Sequence, residues 1–480
     1  MSLYLGLDLG TSSLKALLID EDQRTLAAAE APLAVSRPHP GWSEQDPAAW
    51  IAAAEQALDA VSARVDLASV RAIGLSGQMH GATLLDEADR PLRPCILWND
   101  TRSAAEAEAR DADPRTREIT GNIVFPGFTA PKLAWTRAHE PETFEKTRKV
   151  LLPKDFLRLW LTGEHVAEMS DAAGTSWLDV GRRDWSDALL AATHLTRAHM
   201  PRLVEGSEPS GTVRRRIASR FGLPPTAIVA GGGGDNAAAA IGAGVVRPGD
   251  AFLSLGTSGV LFAAAEGFHP DPATAVHSFC HALPNAWHQM AVILSAADSL
   301  AWLSRLTGRP APDLTADLGP LRAPGRPLFL PYLAGERTPL NDASIRAALI
   351  GCDHDTDPEA ATRAVLEGVA FAFRDGRDAL AATGTTPSRY IALGGGARSD
   401  AWLAILATAL NTPIDAPSAT AAGAALGAAR LAMIAASAPA NVAFAPVAER
   451  TFDPDASLIG AFDDAHARFV AARNALGALS

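Results

Sequence analysis

Leu3, Leu5, Leu7 and Leu9 alternate with Tyr4, Gly6 and Asp8, a period of two that predicts a β-strand with one buried face and Asp8 near its C-terminal end. Past the turn Gly10-Thr11-Ser12-Ser13, apolar-rich runs over Leu14 to Asp20 and Thr25 to Glu30 predict two more strands. The turn Glu21 to Arg24 joins them, so the chain opens as a β-meander. Trp50 to Ala63 has helical periodicity, and Val70 to Leu75 predicts a strand that delivers Ser76-Gly77-Gln78-Met79-His80-Gly81. From there strands and helices alternate, which predicts an α/β fold. Near mid-chain, Ala227 to Ala230 predicts a short buried strand, Gly231 to Gly234 a loop, and Asp235-Asn236 the start of an alanine-rich helix.

The opening pattern then recurs. Ala251 to Leu255 predicts a strand, Gly256-Thr257-Ser258-Gly259 a turn and Val260 to Ala264 a returning strand. Leu9-Gly10-Thr11-Ser12 and Leu255-Gly256-Thr257-Ser258 are the same tetrapeptide, about half of the 480 residues apart. A chain of this length exceeds one ordinary core. The repeat therefore predicts two related lobes flanking a central cleft, residues 1–246 and 247–480, with the boundary around Arg247 to Gly249. Later, Tyr390 to Leu393 predicts a strand stopped by Gly394-Gly395-Gly396. Ser399-Asp400 then caps a helix whose inner face holds Trp402, Leu403, Leu406 and Leu410. Strand, glycine loop and helix follow one another here as they do before Asp235.

Composition narrows the class. At 48% hydrophobic and 20% charged, the sequence is that of a globular protein. A net charge of -12, without a long basic run, argues against a nucleic-acid partner. Cys95, Cys280 and Cys352 are widely spaced and lack a Cys-x-x-Cys pair, which argues against a disulfide framework or a zinc site and points to a reducing cytoplasm. The N-terminus has no basic n-region, and Asp8 interrupts its apolar stretch, so no signal peptide is expected. Ala421 to Ala436 is apolar but too short for a bilayer and contains Arg430, which predicts a buried helix and no membrane partner.

The candidate chemistry follows the turns. Successive backbone N–H groups and hydroxyls in Gly10-Thr11-Ser12 and Gly256-Thr257-Ser258 form small concave donors for phosphate oxygens, and two such turns facing one cleft fit a nucleotide polyphosphate. A carboxylate at Asp8 beside phosphate makes sense with a divalent cation bridging them, directly or through water; otherwise Asp8 is a strand-end residue. Lys15 reads equally as a phosphate contact or as a solvated strand-edge lysine. Asp235 follows four glycines that permit close backbone approach to a ligand, at a helix N-terminus. It reads as a catalytic carboxylate in preference to an N-cap, and Asn236 is the competing cap. No P-loop or dinucleotide fingerprint occurs. Gly394-Gly395-Gly396-Ala397-Arg398 lets a flat ring or ribose lie against the backbone, with Arg398 stacking on it, or is an ordinary strand-to-helix turn. Met79, His80, Trp98 and Asn99 mix flat apolar and hydrogen-bonding groups as polyol sites do, although singly His80 and Asn99 also fit core and turn roles.

Together these features resemble the FGGY family of carbohydrate kinases, within the actin and Hsp70-like ATPase superfamily. The resemblance spans nearly the whole chain. Gly127-Phe128-Thr129-Ala130-Pro131-Lys132-Leu133-Ala134-Trp135 is similar to the family's first-lobe signature, and Leu366-Glu367-Gly368-Val369-Ala370-Phe371 to its second. The segments Ser36 to Pro47, Gln78 to Gly81, Ile96 to Asp100, Leu152 to Asp155, Ser170 to Thr175 and His277 to Ala282 resemble the D-xylulose-phosphorylating members. The resemblance implies two ribonuclease-H-like, actin-like ATPase lobes, the first mainly sugar-binding and the second mainly ATP-binding. It further implies ATP-dependent phosphorylation of D-xylulose at its 5-hydroxyl, with Asp235 as base, Met79, His80 and Asn236 at the sugar, and Asp8 near Mg²⁺ and the phosphates. A homodimer is compatible with it. Ser418 to Gly423 lacks the acidic residue that many relatives carry there.

Two rival readings use the same phosphate machinery. One is a kinase for another ketose or polyol, such as ribulose or glycerol, which only the sugar contacts distinguish. The other is a non-catalytic nucleotide-dependent clamp of the actin or chaperone type, which has no need for Asp235 behind its glycines.

Overall fold

The computed structural model of the protein describes residues 1–316, 318–418 and 423–477. The meander forms as β1 (Leu3–Leu9), β2 (Ser13–Asp20) and β3 (Thr25–Pro32), followed by α1 (Pro47–Ser62) and β4 (Val70–Gly77). Strand β1 buries both faces, because α1 covers one side and a second helix the other. The side chain of Asp46 caps α1 by accepting from Ala48 N, Pro47 fills the first helical position, and Trp50, Ala54, Leu58 and Val61 form the buried stripe.

The sheet is completed by β5 (Pro209–Thr212), β6 (Ile228–Ala230) and β7 (Gly233–Gly234), and α2 (Asp235–Ala243) follows directly. Strand order is β5-β6-β4-β1-β2-β3, with β7 also on β4. Strands β1, β4 and β6 run parallel, whereas β2, β3 and β5 pair antiparallel to their neighbours. Gly233 and Gly234 are not purely loop, since they pair in parallel with Ser76 and Gly77.

The second half repeats this plan with β8 (Ala251–Leu255), β9 (Gly259–Ala265), β10 (His277–Cys280), β11 (Trp287–Ile293), β12 (Tyr390–Leu393), β13 (Ile414–Pro417), α3 (Ala424–Ala435) and β14 (Ala448–Phe452). Their order is β10-β11-β9-β8-β12-β13-β14. Strands β8, β12 and β13 are parallel, as β1, β4 and β6 are. Ser399 Oγ accepts from Trp402 N to cap the helix Asp400–Leu410, whose Trp402, Leu403, Leu406 and Leu410 are buried as predicted. Of the apolar segment Ala421 to Ala436, the helix α3 is observed; residues 419–422 lie outside the described residues.

Helix α3 packs on the first half's sheet, against β1 and β4, as well as on α2. That approach depends on absent side chains. A Cβ on Gly74 would lie 1.7 Å from Ala428 O, one on Gly6 would lie 2.0 Å from Ala425 O, and one on Gly427 would lie 1.7 Å from Ala238 O. In return, α2 contributes Ala240 and Ala243 to a buried cluster with Phe252 and Phe262 of the second sheet. Each half thus lends one small-residue helix to the other.

Strand matching also revises one sequence reading. Sheet position and sense equate β12 with β4, and β13 with β6. The Gly394 loop therefore corresponds to the Gln78-Met79-His80 loop, not to the glycines before Asp235. Local composition pointed to the wrong match, because the Gly394 loop and the glycines before Asp235 both lead from a strand into a helix, whereas the Gln78 loop leads to the strand Thr83–Leu85.

Candidate active site

The C-terminal ends of β1, β4 and β7 bring Asp8, Ser76 and Asp235 to one edge of the first sheet. Asp8 stands opposite Ser76 across the parallel pair and opposite Lys15 across the hairpin. Its Oδ1 accepts from Ser76 Oγ at 2.9 Å. Burial raises the Asp8 carboxyl, and Ser76 and the exposed Lys15 pull it back down.

Asp235 occupies the first position of α2 with Gly234 as the cap residue, so it is not itself an N-cap. Its Oδ1 accepts from Asn236 N at 2.7 Å and from Asn236 Nδ2 at 3.0 Å, leaving Oδ2 without a protein donor among the described residues. Burial pushes its pKa up to about 6, the Asn236 amide opposes this, and the negative charge of Asp8 adds to it. Asp8 and Asp235 therefore face a common space. Two carboxylates without a hydrogen-bonded cation between them suit a divalent ion bridged to phosphate. Among the described residues, no group of three or more His, Cys, Asp or Glu side chains forms a protein-only metal cage.

The first Gly-Thr-Ser turn is braced from below. Thr11 Oγ1 donates to Gln78 Oε1 and accepts from Trp98 Nε1, each at 3.0 Å, while Gln45 Nε2 donates to Thr11 O at 2.7 Å. Gln78 Nε2 closes the network on Gln45 Oε1 at 2.8 Å. The Thr11 proton is thus committed to glutamine and Gly10 N donates to Ser13 O at 3.0 Å, so of the predicted phosphate donors these two are spent inside the turn, while Ser12 is exposed. Trp98 is 47% exposed at this turn, and Asn99 is exposed beside it.

Met79 and His80 sit deeper. A Cβ on Gly234 would meet Met79 Cγ at 2.9 Å, and one on Gly174 would meet His80 Cε1 at 2.4 Å, so glycine at both positions admits these side chains. His80 has φ 69, stacks on Phe128 at 4.6 Å, and places Nδ1 2.7 Å from Gly174 O. A carbonyl only accepts, so Nδ1 carries the proton and Nε2 is a bare acceptor. Burial drops the imidazole pKa to about 3, which keeps it neutral. Lys132 Nζ and Thr129 Oγ1, from the first family-like signature, donate to His80 O and hold this backbone.

Sequence reasoning missed a buried ionic cluster behind Asp235. Lys154 Nζ lies 2.7 Å from Asp155, 3.4 Å from Asp171 and 3.6 Å from Glu168, with all four side chains fully buried. Ser170 Oγ donates to Glu168 and accepts from Gly234 N at 3.1 Å, linking the cluster to the glycines before Asp235. The segments Leu152 to Asp155 and Ser170 to Thr175 carried this signal, but their meeting is a tertiary fact.

On the other side of α2, a cavity of about 510 Å³ is lined by Asn236, Ser254, Gly394, Gly395, Ala397 and Arg398, together with Phe252, Glu449 and Arg450. It joins the Asp235 helix to the predicted nucleotide glycines. Gly396 and the second turn, Gly256-Thr257-Ser258, are not part of this lining. That turn docks on the helix Ala297–Thr307, with Gly256 O accepting from Ala297 N and Thr257 O from Ala296 N. Glu449 and Arg450 come from β14, and no motif in the sequence marked them.

Residues 3–242 match the profile of the FGGY family of carbohydrate kinases, N-terminal domain, and residues 251–436 match that of its C-terminal domain. The "Xylulose kinase" of Escherichia coli (strain K12) is 51% identical over 437 residues, covering 90% of each chain. A solved "xyloylose kinase" from Brucella ovis is 58% identical with a TM-score of 0.98 over 100% of both chains. The solved xylulose kinase from Rhodospirillum rubrum is 29% identical, with a TM-score of 0.93 over 99% of both. No helix among the described residues is long and apolar enough to cross a membrane. With both domain profiles matched in order along it, the chain belongs to the FGGY family of carbohydrate kinases.

Proposed function

We propose that the protein transfers the γ-phosphoryl group of ATP to the 5-hydroxyl of D-xylulose, with Asp235 as general base. The observation that carries this reading is a half-buried carboxylate with no protein donor to Oδ2 among the described residues, raised to about 6, which follows the Gly234 that abuts Met79 and precedes the Asn236 that lines the cavity. A base with a pKa just below neutrality is ionised when needed and still accepts a hydroxyl proton as the transition state develops. The names of the close relatives supply the sugar.

In this reading, residues 1–246 hold mainly the sugar and residues 247–480 mainly ATP. His80 Nε2 accepts from a sugar hydroxyl, Asn236 fixes the Asp235 carboxylate, and Met79 covers an apolar face of the sugar, with Trp98 and Asn99 at its margin. The adenosine moiety lies along Gly394, Gly395, Gly396, Ala397 and Arg398. The phosphates run between the turns Gly10-Thr11-Ser12 and Gly256-Thr257-Ser258, with Lys15 beside the first. Asp8 is the residue that would hold Mg²⁺, through water, where the ion would supply positive charge to offset that of the phosphates. Three free thiols suit a reducing cytoplasm.

The test is ADP release measured across D-xylulose, D-ribulose, L-ribulose, glycerol and xylitol, repeated with Asp235→Ala. D-xylulose should give the highest kcat/KM, and the variant should lose sugar-dependent turnover. A different preferred sugar would replace the substrate assignment, and ATP hydrolysis indifferent to sugar would favour a clamp.

A further inference from the structure

Arg337 lies in the second half of the chain but reaches the sugar side of the first. Its backbone is anchored beside the end of β11: Thr338 N donates to Val292 O, Val292 N donates to Thr338 Oγ1, and Glu336 Oε1 accepts from both Leu294 N and Arg337 N. The guanidinium sits over the Phe125 ring at 4.1 Å, with Nη1 3.4 Å from His277 Nε2. Phe125, His277 and Phe128 pack together, and Phe128 stacks on His80, so Arg337 and His80 flank one aromatic cluster, close enough for the guanidinium charge to act on the imidazole. No carboxylate pairs with this guanidinium among the described residues. Its sequence neighbour Glu336 spends Oε1 on backbone amides, and burial pushes its pKa up to about 8, so it supplies little negative charge near neutrality. Arg337 is half-buried, and even partial burial of a cation without a partner is costly unless a ligand completes the site.

The chemistry of a ketopentose indicates what completes it. In the ring form, O5 is bonded to C2, so the 5-hydroxyl exists only in the open chain, where C2 is a carbonyl. A sugar presented to Asp235 through O5 therefore displays an acceptor-only oxygen at C2. A guanidinium has five N–H donors and no acceptor, whereas Asp235 and His80 Nε2 offer acceptors to hydroxyl protons. We propose that Arg337 donates to the C2 carbonyl oxygen of the bound ketose, selecting the open-chain form and distinguishing ketoses from polyols. This rests on the reading that the substrate is a ketopentose phosphorylated at O5. The residue arrives from the ATP-side half, so carbonyl recognition also draws the two halves together around the sugar.

The test compares Arg337→Gln with the unsubstituted enzyme on D-xylulose and on xylitol, its C2-reduced counterpart. Loss of a charge-assisted hydrogen bond should lower kcat/KM for D-xylulose about 100-fold. The fall for xylitol should be far smaller, so that the preference for the ketose collapses. An equal fall on both sugars, or an unchanged preference, overturns the proposal while leaving the kinase reading intact. An unsubstituted enzyme that does not prefer D-xylulose to xylitol overturns the proposal together with the substrate assignment it rests on. A measurement on the unsubstituted enzyme does not depend on how the variant folds: [2-¹³C]-D-xylulose bound without nucleotide should show a carbonyl resonance, and a bound hemiketal resonance alone overturns the proposal.

Discussion

Each half of the chain lays five strands in the same order and sense, yet corresponding positions carry different chemistry. The turn after β1 is flanked by Asp8 and Lys15; the turn after β8 is flanked, at the same offsets, by Ser254 and Leu261. The loop after β4 is filled by Gln78, Met79 and His80, whereas the loop after β12 is emptied to Gly394-Gly395-Gly396. The helix after β6 begins with a carboxylate at Asp235, whereas that after β13 begins with Ala424. One frame thus supports two kinds of site. Where side chains fill the loop and charges flank the turn, the site presents hydrogen-bonding groups and carboxylates, which suits the proposed sugar and metal; where they are removed, it presents bare backbone and space, which suits the proposed ring and ribose.

The widest gap between the halves is expected at the turns. Asp8→Ser, which gives the first turn the residue of the second, should lower kcat about 100-fold or more by removing the anion opposite the phosphates. The reciprocal Ser254→Asp should instead weaken ATP binding, because Ser254 lines the cavity and a carboxylate there repels phosphate. Both are read by steady-state kinetics over a range of ATP concentrations. If Asp8→Ser keeps its kcat, the two turns are chemically equivalent and the comparison fails.

The exchange of helices is the next test. Gly74→Ala places a methyl carbon where Ala428 O now lies, so thermal or denaturant unfolding should show a loss of about 1–3 kcal/mol, the usual cost of overpacking. Gly395→Ala, in the emptied loop, meets nothing within 4 Å and should leave stability unchanged. Similar losses at both positions would contradict the tight seating of α3 on the first sheet.

A smaller contrast separates two aspartates. Asp400 is exposed and paired with Arg450, so Asp400→Ala should change stability by less than about 1 kcal/mol. Asp235 is half-buried, with a pKa raised above that of an unfolded-chain aspartate. The sign follows: its ionised form is disfavoured in the folded state, so stability is lost as pH rises from about 4 to about 6 and stays lower above that. Asp235→Asn should therefore raise the melting temperature at pH 8 but not at pH 4. No gain at pH 8 would show that the buried charge is compensated.

The parts of this account written in local pattern were legible in the sequence. Alternation marked β1, Gly-Thr-Ser marked both turns, and four glycines before a carboxylate marked Asp235. What was not legible depends on partners far along the chain. Periodicity shows that α3 has a buried face but not that the face rests on β1 and β4. Lys154, Asp171 and Glu168 look like scattered charges until they meet, and Thr11 looked like a phosphate donor until Gln78 took its proton. Arg337 and Glu449 sit in no local motif, and only the closed fold brings them to a site.

The central claim is that Asp235 removes the hydroxyl proton during transfer. It is tested most directly by kcat for D-xylulose with Asp235→Asn, measured with saturating ATP alongside sugar binding in the absence of nucleotide. The account predicts a fall in kcat of about 100-fold to 10,000-fold, while sugar still binds. It also predicts that unsubstituted kcat/KM declines about tenfold per pH unit below about 6, the range in which Asp235 protonates. Turnover by Asp235→Asn at the unsubstituted rate would contradict it.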